Sequence, residues 1–197
     1  RITSFHDGCV SATRWYAQPI RNADGVWHWI ETNHRCNSEL WDEEDLARRL
    51  DVEDSAIAAN KRRIDVFNQK RNDAVERIDD LILQALAATM NTGARLNAET
   101  AGMMIDRLSI LSLKLKAMHQ QTLRADVNDN HLISCRQKLE RLVEQRNDLS
   151  DCFDALLAEC QTGRARYKIY RQFKMYNDPA LNPALYGSNT NLITGSK

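Results

Sequence analysis

Turn formers are scarce in this chain, with seven glycines and three prolines among 197 residues. Together with the high charge content, that scarcity points to a helical protein. Net charge is absent too: 27 basic residues meet 27 acidic ones. A general nucleic-acid binder needs a basic excess to displace counterions from phosphates, so that class is disfavoured. No stretch approaches the roughly 18 uninterrupted apolar residues of a membrane span, and the first ten residues lack the apolar core of a signal peptide. The chain therefore reads as soluble and cytoplasmic, with something trimmed ahead of Arg1. Five cysteines, Cys9, Cys36, Cys135, Cys152 and Cys160, form no C-x-x-C pair. Their odd number argues against a closed disulfide framework, and they read as free thiols, most of them packed. G-x-S-x-G, Walker A and G-x-G-x-x-G motifs are missing, so the common hydrolase, P-loop and Rossmann chemistries lack their signatures.

What is present is 43% hydrophobic content, enough for one domain with a core, and a helical apolar period. A short leading helix is expected before Pro19. Val26, Ile30, Leu40, Trp41 and Ala47 predict a first long helix over 26–50. A second starts from Ser55 as N-cap and runs to about 90. The third covers 99–123, and the fourth runs from a polar connection at 126–130 to about 161, with Gly163 as its C-cap. A shorter basic helix over 164–175 precedes a turn-rich segment. No strand pattern stands out. The domain is expected to span 1–187, with 188–197 disordered.

An internal repeat organises these helices. Arg71-Asn72-Asp73, followed by Glu76, Ile78, Asp79, Leu81 and Ile82, recurs 75 residues later as Arg146-Asn147-Asp148 followed by Asp151, Phe153, Asp154, Leu156 and Leu157. Ile64 and Phe67 likewise correspond to Leu139 and Leu142. The fold predicted is all-α: an antiparallel four-helix bundle of two repeated hairpins with pseudo-twofold symmetry, plus short N-terminal and C-terminal helices.

Charges fall on the faces meant for the core. Arg71 sits amid Ile64, Phe67, Val75, Ile78 and Ile82, and Arg146 holds the same place in the fourth helix. A buried guanidinium must be met by carboxylates or a bound anion. The first long helix carries a polar line of Asn33, Asn37, Glu44 and Arg48, while Asp106 and Lys114 lie one turn either side of Ile110. Glu44, Asp45 and Asp106 against Arg48, Arg71, Lys114 and Arg146 make three negative charges to four positive. That count mildly favours an anionic ligand over a carboxylate metal cage; the structural alternative is a salt-bridge network that fixes helix register.

Four strings in order resemble a known family: Asn37-x-x-Leu40-Trp41-x-x-Glu44-Asp45-x-Ala47-Arg48, Lys61-Arg62-x-Ile64-Asp65-x-x-Asn68-Gln69-x-Arg71-Asn72-Asp73, the run from Ile105-Asp106-Arg107 to Ile110-Leu111, and Tyr176-Asn177-Asp178-Pro179-x-Leu181-Asn182-Pro183. They resemble the bacterial domain-of-unknown-function family numbered 4254, over nearly the whole chain. The resemblance implies a setting beside glycosyltransferases of the heptosyltransferase type in lipopolysaccharide gene clusters, hence envelope-glycan assembly. Many members of that family carry His where this chain has Asp42.

The functional reading is a helical bundle whose seam binds a phosphorylated or nucleotide-linked sugar, as an enzyme or as an accessory to a glycosyltransferase. Arg48, Arg71, Lys114 and Arg146 would supply charge, Asn37 and Asn68 hydrogen bonds, and Asp45 a further polar contact. Glu44 or Asp106 would orient the cations or serve as general base. Lys174, Tyr176 and Asn177 belong to the basic, tyrosine-interleaved C-terminal stretch, a candidate for a sugar's pyrophosphate; its alternative is a solvated helix pairing with the acidic run 42–54. No resident cofactor is expected. A second reading is an interaction protein with a structural polar core, docking through the two-sided third helix or Trp27 and Trp29, with a homodimer left open. A third is a Mg²⁺ pyrophosphohydrolase using Glu76-x-x-Asp79. Glu31-x-x-His34 matches half of a di-iron motif and has no second copy.

Overall fold

The computed structural model describes residues 1–89, 91–172 and 178–186. It is predominantly helical. Helix α1 (Ile2–Val10) and a 3-10 turn (Trp15–Ala17) lead into α2 (Gly25–Leu46) and α3 (Asp54–Leu86). A short strand β1 (Arg95–Asn97) precedes α4 (Ala101–Thr122) and α5 (Asp129–Gln161). Strand β2 (Ala165–Tyr167) follows, and the four-residue helix α6 (Pro183–Tyr186) is the last described element. Helices α2 and α4 are both 22 residues long and α3 and α5 both 33, with the bounds of α5 those of α3 displaced by 75.

Local chemistry fixes the helix ends. Thr100 Oγ1 accepts the Met103 N–H at 3.2 Å and Asn128 Oδ1 the His131 N–H at 2.9 Å, which caps α4 and α5. Helix α3 begins at Asp54 with Glu53 in the cap position and no side-chain cap bond, so Ser55 lies inside the helix and is not its cap. At the end of α5 the chain leaves through Gly163 at φ +68. Gly163 N–H donates to the Cys160 carbonyl and Arg164 N–H to that of Glu159 at 2.9 Å, a Schellman closure that only a left-handed residue permits without strain.

That closure turns the chain back, and of the basic helix expected over 164–175 the described part, 164–172, is not helical. Ala165 and Tyr167 point inward and are buried while Arg166 between them is not, a period of two. β2 pairs in parallel with β1, Arg95 opposite Ala165 and Asn97 opposite Tyr167. The fold is therefore helical with one small sheet rather than all-α. Three-residue strands are too short to leave a pattern that can be read beforehand.

Helix α4 is the hub. It packs against α1, α2, α3 and α5, whereas α2 packs chiefly on α3, and α5 on α4. Met104, Ile105, Leu108 and Leu111 of α4 meet Ile30 of α2, Ile78 of α3, and Leu149, Phe153 and Leu156 of α5 in the core. The first apolar stripe of α4 is thus covered by the chain's own helices. Of the second, Leu113 is buried, Ile110 half-buried and Met103 exposed. Trp27 is half-buried too, edge-on to Phe5 with ring centroids 5.5 Å apart.

The α3–α4 junction is held by a carboxylate. Asp79, 2% exposed, accepts the Thr100 hydroxyl and, at 2.7 Å, the Gly102 N–H, so α3 helps to cap α4. Burial raises its pKa to about 6 against the hydrogen bonds that favour the charged form. The helices approach so closely here that a Cβ on Gly102 would lie 2.6 Å from the Val75 carbonyl oxygen and 2.9 Å from the Asp79 carboxyl. Helix propensity alone favours Ala over Gly by about 1 kcal/mol. Overpacking costs roughly 1–3 kcal/mol and should win. Gly102→Ala is therefore expected to lower the urea midpoint, while Gly8→Ala in α1, where nothing lies within 4 Å, should leave it unchanged or raise it. Equal midpoints for the two variants would contradict the packing.

Candidate functional site

Helix α2 buries polar side chains along much of its length. Glu31, Asn33, His34, Asn37 and Ser38 are all at most 4% exposed. Glu31 and Arg35 form one clamp. The Glu31 carboxylate accepts Arg35 Nη2 at 2.7 Å, Asn22 Nδ2 at 2.9 Å and the Arg21 and Asn22 backbone N–H groups, while Arg35 donates to the carbonyls of Tyr16, Gln18 and Pro19. Burial pushes the Glu31 carboxyl up, and these donors more than offset it, leaving its pKa below the ordinary value. The clamp fastens the loop between α1 and α2.

A second network joins three helices. Asp106 of α4, 5% exposed, accepts Arg71 of α3 through both carboxylate oxygens, Nε to Oδ1 at 2.8 Å and Nη2 to Oδ2. Oδ1 also accepts Asn33 Nδ2 at 2.8 Å and Asn37 Nδ2 at 2.9 Å. Asn37 reaches Ser109 Oγ at 2.9 Å, and Ser109 Oγ lies 2.7 Å from His34 Nδ1. The His34 ring is stacked between Trp15, centroids 4.8 Å apart at 24°, and His6 at 4.4 Å. Both ring nitrogens of His6, and Nε2 of His34, are buried without a hydrogen-bond partner among the described residues. Burial drives the His34 pKa down to about 3, partly offset by the His6 backbone and Glu31, and drives His6 well below its ordinary value, helped by His34 and Arg146.

The expected site residues therefore separate. Asn37, Arg71 and Asp106 come together, and Asp106 supplies the anion that Arg71 demands. Arg146, half-buried, instead pairs with Asp7 of α1 at 2.6 Å. Glu44 and Arg48 do not reach the seam; they pair with each other at 3.1 Å on the outer face of α2, and no α2 residue after Leu40 is buried. Asp45 and Lys114 are exposed and Asn68 is half-buried. Among the described residues the basic stretch does not pair with 42–54; Arg171 donates instead to Glu76 and Asp80 of α3, both at 2.8 Å. Lys174, Tyr176 and Asn177 lie outside the described residues. Glu76 and Asp79 are taken up by Arg171 and by the α4 cap, and Glu31 and His34 by their own networks. Among the described residues, no group of three His, Cys, Asp or Glu is placed to hold a metal ion.

Open ground lies around Trp41. On one side, Trp41, Ala117, Met118 and Leu142 floor a groove of about 500 Å³ edged by Lys114, Lys138 and Arg141. On the other, a cleft of about 390 Å³ runs between the 12–16 loop, α2 and α4. Its wall includes Arg14, held at φ 46, and the Tyr16 hydroxyl, which donates to Asp42. Burial, then Asp42, pushes the tyrosine pKa up to about 12.

A comparison with family models finds the one described as "Protein of unknown function (DUF4254)" over residues 27–169. The chain belongs to that family. The matched span holds α2 to α5, the Asp106 network and most of both clefts; no curated protein and no solved structure matches the chain. Within this DUF4254 chain sequence reasoning missed Arg35 and Ser109, and it placed Glu31 and His34 only in half of a di-iron motif. Of these, His34 shares the helical phase of Ile30 and Asn37, a signal that was followed only through Asn33 and Asn37.

Two outcomes follow for this DUF4254 protein. Asp106→Ala orphans the half-buried Arg71 guanidinium and two buried amides and should cost about 2 kcal/mol or more, whereas Arg71→Met, which can pack, should cost less. Denaturation of both variants checks the order; a nearly neutral Asp106→Ala would refute it. The second outcome concerns pH. Because His6 and His34 stay neutral when folded, the unfolded chain takes up protons below about pH 6.5 that the folded one refuses, and stability must fall with pH from there. Asp79 and Glu39, whose carboxyls are raised, work in the opposite direction but for fewer charges fully buried. Urea midpoints should therefore drop between pH 7 and 5.5, and less steeply in His6→Leu.

Proposed function

We propose that the protein binds a phosphorylated or nucleotide-linked sugar and that the groove beside Trp41 receives its phosphate. One observation carries this reading. Lys114, Lys138 and Arg141 edge the groove, and none of them has an ion-pair or hydrogen-bond partner among the described residues. Other cations of the described residues, Arg62 and Arg136 among them, are unpaired too; what sets these three apart is that they edge one groove. Three uncompensated cations over an apolar floor repel one another and focus positive potential on the space between them. A phosphate group relieves that repulsion with charge-assisted hydrogen bonds, and the indole face of Trp41 suits a ring. Lys114 keeps the role expected of it, in a surface groove instead of the seam.

The family resemblance supports a place in bacterial envelope-glycan assembly, as an enzyme or beside a glycosyltransferase. Among the described residues no helix is long and apolar enough to cross a membrane. An interaction protein with a structural polar core is the second reading, favoured by the saturation of Asp106. For the fold we propose an antiparallel four-helix bundle of two equivalent hairpins. The matched lengths of α2 with α4 and α3 with α5 support it, as does the parallel run of β1 and β2, which a twofold axis along the bundle would give.

Melts with and without inorganic phosphate or a sugar nucleotide at fixed ionic strength test the binding. A ligand that binds only the folded state must raise the midpoint. Lys114→Ala and Arg141→Ala should each weaken the affinity about tenfold while shifting apo stability by no more than about 0.5 kcal/mol. No ligand effect in wild type leaves the interaction protein standing and removes the phosphate reading.

A further inference from the structure

The two hollows flanking Trp41 differ in kind. The groove is mostly apolar, and its charged groups, Lys114, Lys138 and Arg141, are all cations, which suits an anion; Gln121 also lines it. The 390 Å³ cleft on the other side offers both senses: Asp42 and Asp45 as acceptors, Arg14 and Lys116 as donors, and Gln120 as either. The side chains of Arg14, Asp45, Lys116 and Gln120 have no hydrogen-bond or ion-pair partner among the described residues, although opposite charges face one cleft. Charges that close normally pair or lie on open solvent. Here all four positions are exposed, and what distinguishes them is that their side chains line one cleft without pairing across it.

The chemistry that uses such a ring of free donors and acceptors is a polyhydroxylated one. A carboxylate accepts from neighbouring hydroxyls, a cation or amide donates back to them, and aromatic rings cover the C–H face of the ring. Trp15, Tyr16 and Trp41 supply the aromatic walls. A plain anion would be repelled by Asp42 and Asp45, and a plain cation by Arg14 and Lys116. Neutral hydroxyls are accepted by both sets. Its volume lies within the range of small-molecule sites.

Trp41 and Ala117 line the groove and the cleft alike, so one ligand can lie across the indole with its two ends in different hollows. We propose that the cleft between the 12–16 loop, α2 and α4 seats the sugar ring of an aldose phosphate whose phosphate rests among Lys114, Lys138 and Arg141, with Asp45 and Gln120 reading its hydroxyls. This rests on the phosphate reading above and assigns the other half of the ligand. Affinity then has two separable parts. Lys114 and Arg141 set the part common to all phosphates; Asp45 and Gln120 set the part that depends on the sugar.

Calorimetric titration of the full chain with inorganic phosphate and with a panel of aldose 1-phosphates of differing stereochemistry tests the division. At least one aldose phosphate should bind tenfold or more tightly than inorganic phosphate. Asp45→Ala and Gln120→Ala, both at exposed positions, should abolish that advantage and leave phosphate affinity within about twofold; unchanged circular dichroism melts of both variants confirm that they fold. If phosphate binds but no aldose phosphate binds better, or the advantage survives both substitutions, the cleft is not the sugar seat and the phosphate groove stands alone. If neither phosphate nor any member of the panel binds wild type, the phosphate reading itself fails and this inference with it.

Discussion

Asp106 is the point on which the helices close. One carboxylate, 5% exposed, takes hydrogen bonds from Asn33 and Asn37 of α2 and from the guanidinium of Arg71 on α3, while its own helix, α4, is the one that all the other long helices touch. Each partner is chosen by elimination. A buried guanidinium needs a carboxylate, and a buried carboxylate that meets only one cation still has lone pairs to satisfy. The two asparagines fill them. Apolar contacts between α2, α3 and α4 would tolerate sliding by a turn, whereas four hydrogen bonds on one carboxylate hold a single register. The second such carboxylate, Asp79, acts at the other end of the same interface by capping α4, and Gly102 is the gap that lets the two backbones come close enough for it.

Saturation of this kind decides what the seam can do. To act as a base or to hold a ligand, Asp106 would have to release donors at a carboxylate with little access to solvent, and Arg71 would lose its carboxylate partner. The network is accordingly better as a lock than as a site. In the proposed reading, binding belongs instead to the hollows beside Trp41, where Lys114, Lys138 and Arg141 have no partner among the described residues.

Much of the lock was legible beforehand. Arg71 falls at the centre of an apolar face, so its need for a carboxylate follows from periodicity alone, and Asp106 and Asn37 were the acceptor and donor at hand on neighbouring helices. Glu44 and Arg48 show where that reasoning stops. They share the angular phase of Asn33 and Asn37, yet phase gives a direction around the axis and not the extent of the neighbour opposite. Beyond Leu40 no residue of α2 is buried, and the same face that is core at Asn37 is surface at Arg48. The clamp of Glu31 and Arg35 was hidden for a related reason: an i, i+4 pair of charges on a helix resembles any solvated pair until a loop is laid over it. β2 was lost because the five basic residues after Gly163 imitate one helical face, while the period of two lives in only Ala165 and Tyr167.

The overhang of α2 also explains why the binding ground lies there. A helix that ran flush with its neighbours would bury its last turns and leave no concavity. Because α2 passes its last buried residue at Leu40 and continues to Leu46, Trp41 stands at the rim of the core with hollows on both sides of it. One is backed by α4 and α5, the other by α4 and the loop after α1. The loop side is held where Arg35 grips the carbonyls of Tyr16, Gln18 and Pro19, with Trp15 donating to Ser38 and Tyr16 to Asp42, so the clamp on α2 helps to build a wall of the cleft one to three turns further along the same helix. Stability and site geometry are in this way linked through one element. A substitution that loosens Arg35, which does not itself line the cleft, would disturb it through Trp15 and Tyr16, and the buried polar residues of α2 are better read as the framework of the Trp41 hollows than as a second site competing with them.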